Sequence, residues 1–278
     1  MSSEVLPNSD VASVVTALPH GASMLCELAR LVRKDVNIDE MAGLIARESA
    51  FADAVVVAAQ RFAGEEQHLD SVEAAISHLG DRETFHLAGA VAWRELTRVP
   101  LRLYNVSADP LWRGGLFTGL LMQELSPAAG VESTEAFVAG LLRSVGKIVL
   151  DELAHRTAEI PPYSPGEESL PQWEQELLGY TNTEVAAAVF EVWRFPLELA
   201  TGVRCHYEPT PATPLMAHLL NLAAATADLR GYGITGEEEY WNFNAARMSA
   251  CNLDRETIAA AEGKASMTLQ RIVAACGS

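Results

Sequence analysis

The sequence predicts an all-α protein. Aromatic residues make up only 7% of the 278 residues, alanine and leucine dominate, and runs of β-branched residues are short. This composition favours helices over strands. Apolar residues also recur at spacings of three and four, the period of a helix with one buried face, and we expect about a dozen helices. The chain is long enough for one large domain or two small ones.

Three early segments each carry an apolar stripe of helical period. The stripes are Met24, Leu25, Leu28, Leu31 and Val32; Ile38, Met41, Leu44 and Ile45; and Val72, Ala75, Ile76 and Leu79. Helix starts are marked by an acceptor side chain with a glutamate three residues later, at Asn37, Asp70 and Thr181. Gly80 is positioned to end the helix of the third stripe.

Proline and glycine divide the chain without creating a flexible linker. Proline-rich loops are expected at 100–110, 160–171 and 208–214, and a glycine-rich break at 231–233. We therefore predict one domain over 1–233, with a helical half at 1–105 and a second half at 106–233 that share an interface. Residues 234–278 form a predicted C-terminal helical extension, with an acidic piece and a last helix capped by Asp254. Packing on the domain is the favoured role of this extension, and homodimerisation is the alternative.

The charge and the cysteines restrict location and partners. The formal charge is 20 minus 37, or −17, so the surface repels nucleic acid and anionic lipid, and we expect neither as a partner. The uncharged stretch 209–227 holds only ~13 mostly apolar residues after its prolines, which is too short to span a bilayer. The start of the chain lacks the order of a signal peptide, and the four cysteines form no CxxC motif. These features predict a cytoplasmic protein.

Common catalytic and cofactor motifs are missing. The seven histidines form no HxxxH, HxH or HExxH pattern, and the chain has no GxSxG, GxGxxG or Walker A motif. We therefore predict no catalytic residue, no metal and no cofactor. His206, in VRCHYEP, is the most suggestive histidine. A partly buried histidine at a helix end is favoured over a ligand, because lone histidines rarely bind metal without partners.

Polar residues interrupt the apolar segment at 137–150, FVAGLLRSVGKIVL. Without Arg143, Ser144 and Lys147 this stretch would suit a buried helix. A guanidinium, a hydroxyl and an ammonium in such a place mark either a site or its remains, because burying them without partners is costly.

Several motifs of the chain, in order, resemble one known family. FVAGLLRSVGKIVL resembles the pattern F-x-A-G-L-L-H-D-I-G-K-x-x-L, SVEAAISHLG resembles S-I-x-x-A-I-x-x-L-G, and VRCHYEP resembles I-x-x-H-H-x-P. Together with LLGYTNTEVAAAVFEVWRFP, these motifs resemble the HDOD family, the HD-related output domain of bacterial signalling proteins, from about Leu18 to Gly233. The resemblance implies an all-α fold with an N-terminal helical half and a degenerate HD-type half.

The resemblance also implies that a metal site has been lost. The metal ligands of the related HD phosphohydrolases fall, position by position, on Gly114, Arg143, Ser144, Asn182, His206, Tyr207 and a residue near Ala224. Of these positions only His206 keeps a metal-binding residue type. Arg143 would place a positive charge where the cation belongs, and no carboxylate is supplied at these positions to offset it.

Three interpretations of the remnant remain open. Arg143 and Ser144 are structural, with the guanidinium filling the vacated cavity and binding helix-end carbonyls or a carboxylate. Alternatively, Arg143, Ser144, Asn182 and His206, with Lys147 and bordered by Tyr207 and Gly114, form a pocket that holds a phosphate, carboxylate or nucleotide. Residual catalysis is the third. For Lys147, capping or snorkelling at the helix end is favoured over ligand contact.

These expectations combine into one function. The chain is predicted to be a non-catalytic signal-transduction module that presents helical surfaces to other signalling proteins, which the sequence does not identify. A small anionic or nucleotide ligand in the old metal cavity would bias that presentation through different affinities for two conformations. The alternative is a metal-dependent phosphohydrolase of nucleotides or cyclic dinucleotides with an atypical site.

Overall fold

The computed structural model describes residues 8–32, 38–64, 66–157, 160–166, 168–241 and 243–277, and it confirms the all-α prediction. Within these ranges the chain forms fifteen α-helices, and the one strand-like pairing is an antiparallel bridge between Leu101 and Val106. A π-helical turn at Asp228–Tyr232 and a 3₁₀ turn at Glu238–Tyr240 precede the last two helices.

The helices follow one another through short connections. They are α1 Asn8–Ala17, α2 His20–Val32, α3 Ile38–Ile45, α4 Ser49–Ala63, α5 Val72–Leu79, α6 Asp81–Leu96, α7 Ala108–Ala129, α8 Ser133–Leu142, α9 Val145–Thr157, α10 Leu170–Leu178, α11 Asn182–Val192, α12 Leu197–Cys205, α13 Leu215–Ala227, α14 Ala245–Ala250 and α15 Arg255–Cys276.

Three of the predicted helix boundaries are confirmed. Thr181 caps α11, accepting a hydrogen bond from the Glu184 amide while the Glu184 carboxylate accepts one from the Thr181 amide. Asp254 caps α15 by accepting from the Thr257 amide at 2.7 Å. Gly80 ends α5 with a φ of 89°, a backbone conformation that favours glycine.

Two other local predictions are wrong: the capping residue of α5 and the burial of Ile38. Ser71, not Asp70, caps α5, because its hydroxyl accepts from the Ala74 amide at 3.1 Å. Both residue types are good caps, so the pattern alone does not choose between them. Ile38 is 40% exposed at the start of α3, although the rest of its stripe is buried. Asn37 and the side chain of Val32 lie outside the described residues.

Helix α7 forms the centre of the packing. It contacts α8, α13, α15 and α6, while α15 also packs against α4 and α6. Glycines bring α7 and α8 unusually close: a Cβ atom on Gly119 would lie 2.7 Å from the Phe137 carbonyl oxygen, and one on Gly140 would lie 2.7 Å from that of Thr118. The first helix, α1, lies against α9 and α11. The division at residues 105 and 233 stays a prediction.

Gly146 lets α9 and α11 meet, and this contact positions the residues described next. A Cβ atom at Gly146 would overlap the carbonyl oxygen of Asn182 and lie 2.7 Å from the amide nitrogen of Ala186. Both neighbours are backbone atoms, so they cannot move aside as a flexible side chain would.

Gly146→Ala is therefore expected to lower the free energy of unfolding by about 1–3 kcal/mol, the usual cost of overpacking. Gly263→Ala is the matched control, since Gly263 lies exposed in α15 with nothing within 4 Å of its Cβ position. There alanine should stabilise by roughly 0.5–1 kcal/mol through helix propensity. Urea denaturation measures both, and an unchanged midpoint for Gly146→Ala would contradict the close packing.

Candidate functional site

Arg143 and Ser144 lie at the junction of α8 and α9. The apolar segment is thus two helices and not one, because α8 ends at Leu142 and α9 begins at Val145. Both polar residues are buried, with 5% and 4% of their surfaces exposed. A buried guanidinium at a junction of two helices requires a partner.

The partner of Arg143 is Glu237, from the segment after the π-helical turn. Nη1 of Arg143 donates to the two carboxylate oxygens of Glu237 at 3.1 and 2.9 Å. Nζ of Lys147 donates to Oε1 of the same carboxylate at 2.7 Å. Lys147 and Glu237 are both fully buried. Burial would raise the pKa of Glu237, but the charges of Arg143 and Lys147 outweigh it and lower this pKa to about 2.

Tyr207 completes the surroundings of this carboxylate. Its hydroxyl donates to Oε1 of Glu237 at 2.8 Å and accepts from Nζ of Lys147 at 2.7 Å. Burial and then the carboxylates of Glu237 and Glu174 raise the pKa of Tyr207 well above its usual value, so the hydroxyl keeps its proton. We call Arg143, Lys147 and Tyr207 the carboxylate cradle. Its donors make four contacts with the two oxygens of Glu237.

A second buried carboxylate, that of Glu174, lies behind the cradle. It accepts from the backbone amide of Asn182 at 2.7 Å, from Nδ2 of Asn182 at 3.0 and 2.9 Å, and from the Tyr104 hydroxyl at 2.8 Å. Nδ2 of Asn182 also lies 3.2 Å from the Tyr207 hydroxyl and so links the two carboxylates. Burial raises the pKa of Glu174, while Lys147 and the donors of Asn182 oppose that rise.

His206 lies beside the cradle but outside its hydrogen bonds. It follows α12 and is fully buried, and its Nδ1 contacts the Val203 carbonyl at 2.6 Å, which assigns the proton to Nδ1. Nε2 has no hydrogen-bond partner. Burial and the nearby charge of Arg143 lower the pKa of His206 to about 3. The ring stacks on Trp241 at 6.0 Å between centroids.

The remaining residues predicted for the site border it. Gly114 and Ser144 line, with Arg143, a narrow cavity of about 20 Å³, roughly the space of one water. A Cβ atom at Gly114 would lie 3.2 Å from the Tyr232 carbonyl oxygen, so the turn after α13 covers this position. Ala224 is buried in α13 and brings no ligating atom.

One expectation about this cavity is wrong. Lys147 does not snorkel or cap at the helix end, because its ammonium is fully buried against Glu237 and Tyr207. Carboxylates are supplied, although from outside the positions that the family motif marks. Residue patterns missed Glu237, Glu174 and Tyr104. The one available signal was electrostatic: two cations in an apolar segment require buried counter-charges, and the glutamates at 237–239 are a nearby supply.

Asn221 fixes the segment that carries Glu237, and we call residues 233–241 the Glu237 segment. Nδ2 of Asn221 donates to the carbonyl oxygens of His206 and Tyr240 at 2.8 and 2.9 Å, and lies 3.2 Å from that of Tyr207. Tyr240 stacks on Tyr207 with 4.7 Å between ring centroids and 12° between planes. Arg247 of α14 donates to Oδ1 of Asn221 and so ties α14 to the same point.

This donor set does not fit a metal ion. Both carboxylates already bind cationic or neutral donors, and Arg143 and Lys147 supply the positive charge that a cation would supply. Across the described ranges, no group of three or more His, Cys, Asp or Glu residues could hold a metal. The arrangement can instead bind and orient a carboxylate.

The fold and these motifs define a helical domain of the HD-related type. The model of the HDOD domain matches residues 18–209, which is more than half of the chain, so the protein belongs to the HDOD family. No curated protein matches it. Among the described residues, no helix combines the length and apolar character needed to cross a membrane.

Solved structures of bacterial proteins share the fold. An HDOD domain protein of unknown function from Geobacter sulfurreducens has 18% identity and a TM-score of 0.67 over 96% of both chains. A provisionally named signal transduction protein from Marinobacter aquaeolei VT8 has 24% identity and a TM-score of 0.68 over 94% of this chain and 58% of that chain. A provisionally named phosphohydrolase from Shewanella amazonensis SB2B has 19% identity and a TM-score of 0.63 over 96% and 97%. At these identities the likeness is one of fold alone.

Glu237→Gln should cost about 3–5 kcal/mol of unfolding free energy, because it leaves two buried cations beside a neutral amide. The control is Glu27→Gln, which removes an exposed carboxylate 3.0 Å from Arg47. Surface pairs of this kind contribute at most about 1 kcal/mol. Chemical denaturation gives both values, and equal losses for the two variants would show that the buried cluster is not needed for stability.

Stability should fall as the pH drops below 6.5. The pKa is lowered to about 3 for His206 and to about 4 for His86. Below pH 6.5 these histidines therefore bind protons in the unfolded chain but stay neutral in the folded chain. Each histidine adds a slope of up to about 1.4 kcal/mol per pH unit. The charges that act on His206 are Arg143, Glu237 and Lys147. The raised pKa of Glu174 acts in the opposite direction.

The contribution of His206 is isolated by comparing wild type with His206→Asn between pH 6.5 and 5.5, where Glu237 is ionised almost completely in both the folded and the unfolded state. The unfolding free energy of the variant should depend less steeply on pH. The slope should be smaller by up to about 1.4 kcal/mol per pH unit, the contribution of one bound proton. Parallel pH profiles for the two proteins would mean that His206 is protonated in the folded state.

Proposed function

We propose that this protein is a non-catalytic regulatory module of bacterial signal transduction that acts by presenting its helical surfaces to partner proteins. The observation that supports this proposal is the identity of the groups in the HD-type cavity. Arg143, at a position where the resemblance places a metal ligand, and Lys147 four residues later bind the carboxylate of Glu237. An HD-type hydrolase needs a metal-activated water, and this cluster leaves no free set of ligands for the ion.

Membership of the family is consistent with a regulatory role, as is the name of the Marinobacter relative. Regulation requires two conformations that a partner or ligand binds with different affinity. The cavity supports such a role, since a small anionic ligand that entered it would have to replace Glu237 and so displace the Glu237 segment. The surface that responds would then include the turn after α13 and helix α14.

The competing hypothesis is a phosphohydrolase with an atypical site, and the name of the Shewanella relative is its basis. Both hypotheses can be tested on one purified sample. We expect less than stoichiometric iron, manganese and zinc by elemental analysis, and no hydrolysis of a nucleotide and cyclic dinucleotide panel when each metal is added. An active HD phosphohydrolase is the positive control, and turnover that is lost in Lys147→Met would overturn the proposal.

The interaction part of the proposal is tested with the same protein as bait in lysate of its own bacterium. We expect a reproducible partner that also binds the purified protein directly. An unrelated bait of similar negative charge is the control, because a net charge of −17 attracts basic proteins unspecifically. Recovery of the same proteins with both baits would contradict the proposed mode of action.

A further inference from the structure

The geometry points to a binding site for a single carboxylate, and we propose that Glu237 occupies it as a tethered ligand which a small monocarboxylate displaces. This inference deepens the proposed regulatory function and rests on it for its biological meaning. The site itself is defined by the described contacts of the carboxylate cradle and of the Glu237 segment.

The charges of the cavity match one negative charge. Arg143 and Lys147 contribute two positive charges, and Glu174, whose carboxylate accepts from Asn182 and Tyr104, contributes one negative charge. The net charge of these three residues is therefore +1, and the occupant of the site has to neutralise it. His206 is neutral, with its proton bonded to a carbonyl. A monoanion neutralises such a cavity, whereas a phosphate monoester, which carries a charge of about −1.5 to −2 near neutral pH, would bring an excess of negative charge.

The hydrogen bonds match a planar group with two oxygens. Oε1 of Glu237 accepts from Arg143, Lys147 and Tyr207, and Oε2 accepts from the same Nη1 of Arg143. All four contacts are thus directed to two oxygens. A phosphate or sulfate would bring further oxygens that these donors do not reach. The cradle therefore favours a carboxylate by shape as well as by charge.

The Glu237 segment is held mainly by side-chain contacts, such as those of Asn221 and Tyr207 with Tyr240, and has few backbone hydrogen bonds of its own. Apart from one 3₁₀ turn it has no regular structure, and its internal backbone bonds run from the Glu237 amide to Ile234, from the Tyr240 amide to Glu237 and from the Trp241 amide to Glu238. Glu238 and Glu239 are exposed, and only the side chain of Glu237 carries charge into the core. A ligand that replaces the Glu237 carboxylate therefore has few backbone hydrogen bonds to break before the segment moves, and the helices can stay folded.

A tethered ligand has a high effective concentration, of the order of millimolar for short flexible tethers. A free carboxylate must exceed this value to displace Glu237 in the wild-type protein. Removal of the tethered group should make the same site respond at much lower concentration. Glu237→Ala does this directly, because the atoms lost, one methylene and the carboxylate, correspond to acetate.

The test is the thermal unfolding of full-length Glu237→Ala in acetate, with chloride at equal ionic strength as the salt control. We expect the folded-to-unfolded ratio to rise about elevenfold when acetate reaches ten times its Kd. Propionate should bind less well, and sulfate no better than chloride. Glu239→Ala, an exposed change in the same segment, should not respond to acetate. Equal effects of chloride, sulfate and acetate on Glu237→Ala would overturn the carboxylate site.

Wild-type protein provides the second arm, which stands even if Glu237→Ala does not fold. High acetate should speed hydrogen exchange of residues 233–241 at least severalfold over chloride, and leave α7 unchanged. Unchanged exchange would overturn the displacement of Glu237. Neither arm depends on catalysis or on a partner, so failure here is separate from failure of the proposed regulatory function.

Discussion

The burial of Glu237 between Arg143 and Lys147 is the interaction on which this half of the molecule depends. Two cations removed from water cost several kcal/mol each, and only a carboxylate held by further hydrogen bonds offsets that cost. Glu237 accepts from both cations and from Tyr207. The junction of α8 and α9, the end of α12 and the turn after α13 therefore have to meet at one point, and their arrangement follows from this requirement.

The fold was predictable as far as local chemistry decides it. Helical period identified the all-α class, and Thr181, Gly80 and Asp254 identified helix ends, because caps depend on neighbours within three or four residues. Ser71 instead of Asp70 and the exposure of Ile38 escaped prediction for a physical reason. Adjacent caps are nearly equal in energy, and the first residue of a stripe is buried only if another helix covers it.

The site was predictable in part. The family motif pointed to Arg143, Lys147, Asn182 and Tyr207 as residues of one cavity, and in the structure hydrogen bonds connect Tyr207 to Lys147 and Asn182, and Glu237 to Arg143 and Lys147. It gave no information on the occupant of the cavity, since Glu237 lies beyond the matched residues 18–209. Counting charges would have shown that a carboxylate was needed, but not which of the many acidic residues supplied it. That choice depends on packing between distant parts of the chain.

The distance along the chain between Arg143 and Glu237 also has a consequence for how the protein is made. The two residues are 94 positions apart, and Lys147 and Glu237 are 90 apart. During synthesis the two cations leave the ribosome well before their counter-charge, and at about 5–20 residues per second the delay is of the order of 5–20 seconds. Until Glu237 is available, closing the junction of α8 and α9 would bury two cations without a counter-charge. The cooperative folding unit therefore extends past residue 209, where the family match ends.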